Sequence, residues 1–168
     1  MNKAFTRESD EEPDDAAISP RSAQLPSGTP NYMTADGAER MRDEMNRLIG
    51  EDAGKDGLTD AEAKRRRLRN ELRIDYLKQC LRTAVPMTTA ARDAGTVRFG
   101  AYVTVKDAAG DEFVYRIVGV DEIDLNRGWI SWLSPIAAAM MNAKDGDTIS
   151  FRTPKGDERL RVEKIAYS

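Results

Sequence analysis

The sequence predicts an α+β protein: an N-terminal antiparallel helical hairpin, a short coiled coil, followed by a small antiparallel β-sheet domain with one short helix. Three observations carry this. Before Pro86, apolar residues recur at spacings of three and four, the period of a helix with one buried face. Between Phe99 and Pro135, three runs of β-branched and aromatic residues are separated by turns rich in Gly, Asp and Asn. After Pro135 come a short alanine-rich helical stretch and two more alternating runs.

Residues 1–30 read as a disordered acidic tail. They hold Ser9-Asp10-Glu11-Glu12-Pro13-Asp14-Asp15 and four prolines, with only Phe5, Ile18 and Leu25 as large apolar residues besides Met1. Such a segment buries too little surface to offset chain entropy.

Residues 31–86 read as the hairpin. Thr34 or Asp36 caps a first helix whose stripe is Ala38, Met41, Met45 and Leu48, and Gly50 is expected to end it. Thr59-Asp60-Ala61-Glu62 fits a capping box and opens a second helix that runs to about Ala84. Its apolar stripe is Leu68, Leu72, Leu77 and Leu81, with one slip in spacing between Leu72 and Leu77. At 1.5 Å per residue the arms are roughly 23 Å and 38 Å. The longer one is expected to overhang toward the sheet domain. The second helix is also the basic part of a net acidic chain: Lys64, Arg65, Arg66, Arg67, Arg69, Arg73, Lys78 and Arg82 against Asp60, Glu62, Glu71 and Asp75, or +4. Such a run is either a solvated face or a contact for phosphate backbone.

Residues 87–96 read as a linker, and residues 97–168 as the sheet domain. Ser134-Pro135 starts its short helix, with Ser as cap and Pro at the first helical position. Lys144-Asp145-Gly146-Asp147 and Thr153-Pro154-Lys155-Gly156 turn the chain between the last strands.

Composition narrows the chemistry. The 168 residues leave room for one ordinary domain, or a small one with an appendage. The charged fraction is 33%, and no apolar run approaches the ~20 residues of a membrane span. The polar N-terminus lacks a signal-peptide core, so a cytoplasmic protein without a membrane partner is expected. Cys80 is the one cysteine and there is no histidine. That removes an internal disulfide, cysteine-based zinc sites and histidine-dependent catalysis. Any metal would sit on carboxylates, which favours Mg²⁺ or Ca²⁺. No cofactor and no bound metal are expected.

Several stretches together resemble the bacterial Gre transcript-cleavage factors, the GreB branch most closely. They are Tyr32-Met33-Thr34-Ala35-Asp36-Gly37, Arg67-Leu68-Arg69 and Tyr76-Leu77-Lys78-Gln79-Cys80 in the hairpin. In the sheet domain they are Arg98-Phe99-Gly100-Ala101-Tyr102-Val103, Tyr115-Arg116-Ile117-Val118-Gly119-Val120-Asp121-Glu122-Ile123, Ile130-Ser131 with Ser134-Pro135, and Asp145-Gly146-Asp147. The opening Lys3-Ala4-Phe5-Thr6 with its acidic tail is similar to GreB-type proteins. The resemblance implies an FKBP-like C-terminal domain that docks at the rim of the RNA polymerase secondary channel. It also implies a coiled coil that enters the channel, with tip acids that help hold a Mg²⁺ beside the polymerase's own metal, so that backtracked RNA is cut.

Three departures from that pattern stand out. The coiled coil is shortened. The tip signature Asp-x-Ser-Glu-Asn is replaced by Glu51-Asp52-Ala53-Gly54-Lys55-Asp56-Gly57-Leu58-Thr59-Asp60, where Asp52, Asp56 and Asp60 can present carboxylates or simply solvate a loop. Leu133 stands where the family usually has Asp before Ser-Pro. The expectation is a Gre-like factor that binds RNA polymerase through Ser131, Trp132, Leu133, Ser134 and Pro135 and modulates transcription without efficient cleavage. It is expected to be a monomer and not an enzyme. Arg65, Arg66, Arg67, Arg69 and Arg73 are the candidate contact to nascent RNA or DNA. The alternative is a working cleavage factor that rescues backtracked polymerase through its tip acids. A hairpin module serving another protein is a third reading; the related Rnk-type regulators also carry a short coiled coil on this domain but are polymerase binders by family resemblance, so it merges partly with the first. A prolyl isomerase has no support in these residues.

Overall fold

The computed structural model describes residues 25–51, 57–88 and 95–167. A short strand β1 (Asn31–Thr34) leads into α1 (Ala35–Glu51). α2 (Asp60–Thr83) returns and passes directly into β2 (Ala84–Met87). β1 and β2 pair in parallel at the base of the hairpin, Asn31 opposite Ala84 and Thr34 opposite Met87. The sheet domain follows with β3 (Tyr102–Lys106), β4 (Glu112–Val118), β5 (Trp129–Ser131), α3 (Pro135–Met140), β6 (Thr148–Thr153) and β7 (Gly156–Ala166). Its strand order is β5-β4-β3-β7-β6.

The helical hairpin is present, with β1 and β2 at its base. The Thr59 backbone N–H donates to Glu62 Oε2 at 2.9 Å, and the Glu62 N–H donates to Thr59 Oγ1 at 3.4 Å, completing the capping box. α1 does not stop at Gly50 but continues to Glu51. Met33, Ala38, Met41, Leu48, Leu77 and Cys80 form its core, with Met45, Ile74, Tyr76 and Leu81 packed against them.

The stripe on α2 is not the expected one. Leu68 and Leu72 are 58% and 51% exposed, while Leu77 is fully buried. Five residues separate Leu72 from Leu77, which turns them about 140° apart at 100° per residue. The helix can face α1 with only one of the two. Met41 and Ala38 give Leu77 and Cys80 apolar partners, so the base wins. Toward the tip the inner face passes through Asn70, which is buried.

The overhang is also at the other end. Arg73 meets Glu44 across the hairpin at 2.7 Å and 2.9 Å. That register sets Glu51 level with about residue 66, so the first turn and a half of α2 projects beyond Glu51.

The sheet core follows the two-residue period of a strand. Val103 and Val105 are fully buried while Tyr102, Thr104 and Lys106 are half-buried. Ile117, Ile130, Ala137, Met140, Leu160 and Val162 close the same core. The strands were expected to be wholly antiparallel, but β4 and β5 pair in parallel, Arg116 opposite Trp129 and Val118 opposite Ser131. Two 3₁₀ turns, Val120–Glu122 and Leu125–Arg127, separate these strands and reverse the chain twice. Asp124 caps the second, and Gly128 supplies the left-handed φ of 70° that returns the chain into β5. The α+β class stands, with a mixed sheet.

Candidate functional site

The expected docking segment follows β5, an edge strand of the sheet. Local hydrogen bonds fix its shape. The Trp132 N–H donates to Val118 O at 2.9 Å, the Leu133 N–H to Ser131 Oγ at 3.1 Å, and the Ser134 N–H to Ser131 O at 2.9 Å. Ser134 Oγ accepts from the Ala137 N–H at 3.3 Å, and Pro135 occupies the first turn of α3. The segment then splits. Trp132 turns inward against Tyr32, ring centroids 5.0 Å apart, and its Nε1 is buried without a partner. Leu133 turns outward, 41% exposed. The 3₁₀ turns beside β5 add exposed Ile123 and Leu125. An exposed apolar group on a rigid turn is the kind of surface that docks on another protein.

Next to this segment, a polar junction joins the hairpin to the sheet domain. The Asp36 carboxylate accepts two hydrogen bonds from Arg116, at 2.8 Å and 2.7 Å, and one from Arg40. Arg116 is only 3% exposed, and its guanidinium lies 4.8 Å and 4.9 Å from the Tyr102 and Trp129 ring centroids. The Arg116 guanidinium holds the Asp36 carboxyl well below the usual carboxylate range. The Glu122 carboxylate, also buried, accepts from the Thr34 N–H at 2.9 Å, the Gly119 N–H at 3.0 Å and the Thr34 hydroxyl. Asp121 accepts from Asn31 Nδ2 and from the Tyr76 hydroxyl, each at 3.0 Å. Gly37 is required here, because a Cβ at that position would sit 1.9 Å from Glu122 Oε1. Sequence reasoning gave Arg116, Asp121 and Glu122 no role of their own. The available signals were an arginine in the middle of an apolar strand and two acids straight after one.

The basic residues do not form one face. At 100° per residue, Arg65 lies on the outer side of α2 with Leu68 and Leu72, Arg69 lies on its flank about 80° from Leu77, and Arg66 lies on the inner side. Arg73 binds Glu44 and lies 5.2 Å from the Tyr76 ring, so it ties the two helices together. Arg66 and Arg67 also take part in interactions of their own. Cys80 is buried, and burial pushes its thiol up to about 11.

Of the expected tip acids, Asp52 and Asp56 lie outside the described residues. Asp60 is exposed in the first turn of α2, beside the capping box. Among the described residues, no group of three or more acidic, cysteine or histidine side chains is placed to hold a metal ion. None of the helices there is long and apolar enough to cross a membrane.

Residues 92–167 match the family model described as transcription elongation factor, GreA/GreB, C-term. A transcription elongation factor GreB of Neisseria meningitidis serogroup A is 32% identical over 155 residues, covering 83% of this chain and 95% of the relative. A transcription elongation factor GreA of Anaeromyxobacter sp. strain K is 34% identical over 151 residues, covering 80% and 91%. The crystal structure of GreA factor homolog 1 of Thermus thermophilus is 26% identical and covers 82% of this chain and 99% of that one, with a TM-score of 0.40.

These relatives correct one expectation. A flat assignment as a non-enzyme fails, because the matches place the chain among factors for which the resemblance implies stimulated RNA cleavage by RNA polymerase. With near full-length relatives above 30% identity, the chain belongs to the GreA/GreB family of transcription elongation factors.

Proposed function

We propose that this transcription elongation factor binds RNA polymerase at the rim of the secondary channel and presents its hairpin to the channel. In this reading it modulates transcription with inefficient transcript cleavage. The observation that carries the proposal is the hairpin itself. α1 has 17 residues and α2 has 24, about 25 Å and 36 Å at 1.5 Å per residue. Ser131, Leu133, Ser134 and Pro135 are the proposed docking residues. The exposed leucine supplies apolar area where the family usually places a carboxylate. Trp132 acts from behind, through its packing on Tyr32. The basic helix adds a nucleic-acid contact through its exposed arginines.

The second reading is efficient cleavage through the tip acids. Its support is that α2 overhangs at the tip, with Asp60 exposed in its projecting turn. The two readings separate in a backtracked elongation complex with cognate polymerase. RNA cleavage is followed with this protein alone and with it added beside an authentic Gre factor. Little cleavage alone, with suppression of the Gre factor, is the expected result. Cleavage by this protein at the rate of the Gre factor would overturn the proposal in favour of the second reading. No effect in either reaction would overturn secondary-channel binding.

A further inference from the structure

The outer face of α2 combines two features that ordinarily call for a cover. Leu68 and Leu72 stand more than half exposed, one turn apart and facing away from α1. Arg65 lies about 20° around the helix from Leu72 and Arg69 about 60°, in the same sense. Neither takes part in the salt bridges found among the described residues, although Arg65 is near enough to Glu62 to favour its ionised form. The remainder of the helix keeps the local field positive, at +4 overall.

The chain carries one segment of complementary chemistry. Residues 8–15 hold six carboxylates and no cation, with Phe5 and Ile18 on either side. We propose that this acidic N-terminal segment docks on the outer face of α2 formed by Arg65, Leu68, Arg69 and Leu72, as an intramolecular cover. Both arginines lie along one edge of the leucine pair, so the carboxylates meet cations there while Phe5 or Ile18 covers apolar surface.

The tether geometry favours this occupant. β1 lies against β2, which follows α2 without a break, and Asn31 Nδ2 donates to Thr83 Oγ1 at 3.1 Å. The N-terminal segment is therefore anchored at the C-terminal end of α2. From Thr83 to Arg69 is about 21 Å along the helix. Glu12 stands 19 positions before Asn31, and 19 residues can reach at most about 65 Å, more than that separation. The tether makes the pairing intramolecular, so even weak pairing holds the contact. In this state the carboxylates compete with any polyanion for Arg65 and Arg69, and salt weakens the cover.

The test uses the full chain with a nitroxide attached at Ser9→Cys. The native Cys80 is buried with a raised thiol pKa and stays unlabelled under native conditions. Amide signals of residues 65–72 are expected to lose most of their intensity at roughly 20 mM salt and to recover at roughly 0.5 M, where screening is short-ranged. The pairs R65E/R69E and L68S/L72S, all at exposed positions, should each restore the signals at low salt while the remaining spectrum holds. No broadening on α2, or broadening indifferent to both pairs, would overturn the proposal. So would broadening of isotope-labelled chains that lack the nitroxide when they are mixed with nitroxide-bearing ones, which would make the occupant a second copy.

Discussion

At Gly37 the packing leaves no room for a methyl group, because Glu122 Oε1 and Thr34 Oγ1 already occupy the space. Gly37→Ala is expected to cost about 1–3 kcal/mol in chemical denaturation, the usual penalty for overpacking. Gly50 is the control: it lies in α1 with nothing within 4 Å of an added Cβ, so Gly50→Ala should stabilise by about 0.5–1 kcal/mol. Asp36 gives a pH prediction. Arg116 lowers its folded-state pKa below the unfolded value of about 3.9. Its stabilising contribution is therefore complete above about pH 5 and is lost as pH falls through the unfolded value and below. Asp36→Asn should lower stability at neutral pH and flatten the acid limb of a stability-against-pH curve. An unchanged limb would show that other carboxylates set it.

At the scale of elements, the two ends of α2 differ in what holds them. Leu77 is fully buried against α1, and Leu77→Ala should cost about 2–5 kcal/mol. Leu68→Ala, on the outer face, should stay within about 0.5 kcal/mol. Equal losses at both positions would contradict the seam described above. The same contrast explains what was legible in the chain. The capping box at Thr59 and Glu62 and the Ser134-Pro135 start of α3 rest on residues three apart or adjacent, so spacing alone revealed them. The Leu68–Leu72 stripe misled because periodicity shows that a face is apolar, not that a partner covers it.

For the molecule as a whole, the polar junction matters because it fixes the hairpin to the domain that bears the docking segment. Asp36, Thr34 and Asn31 at the hairpin base reach Arg116, Glu122 and Asp121 in the sheet domain. A sheet domain docked as proposed would thus set the direction of the hairpin. Leu133→Ser removes exposed apolar area without touching the Ser134 cap. It is expected to weaken retention on immobilised RNA polymerase about tenfold, the effect of losing ~1.4 kcal/mol at an interface anchor. Unchanged retention, with the fold intact by circular dichroism, would remove Leu133 from the docking surface.

The sequence by itself determined the order of the helices and of the five sheet-domain strands, the helix starts and the basic character of α2, but not the β1–β2 pair. Those features depend on neighbours a few positions apart, whose chemistry is written consecutively. The opposite directions of Trp132 and Leu133 were not legible, since alternation alone leaves the inward residue open. Only the tertiary structure decided which face of α2 meets α1, that β5 runs parallel to β4, and that Arg116 and Glu122 belong to a junction. Each of those depends on partners brought together by folding: Asp36 and Arg116 are 80 positions apart, and Thr34 and Glu122 are 88. Burying such charges is tolerable only where the fold delivers the opposite charge or a donor to the same place.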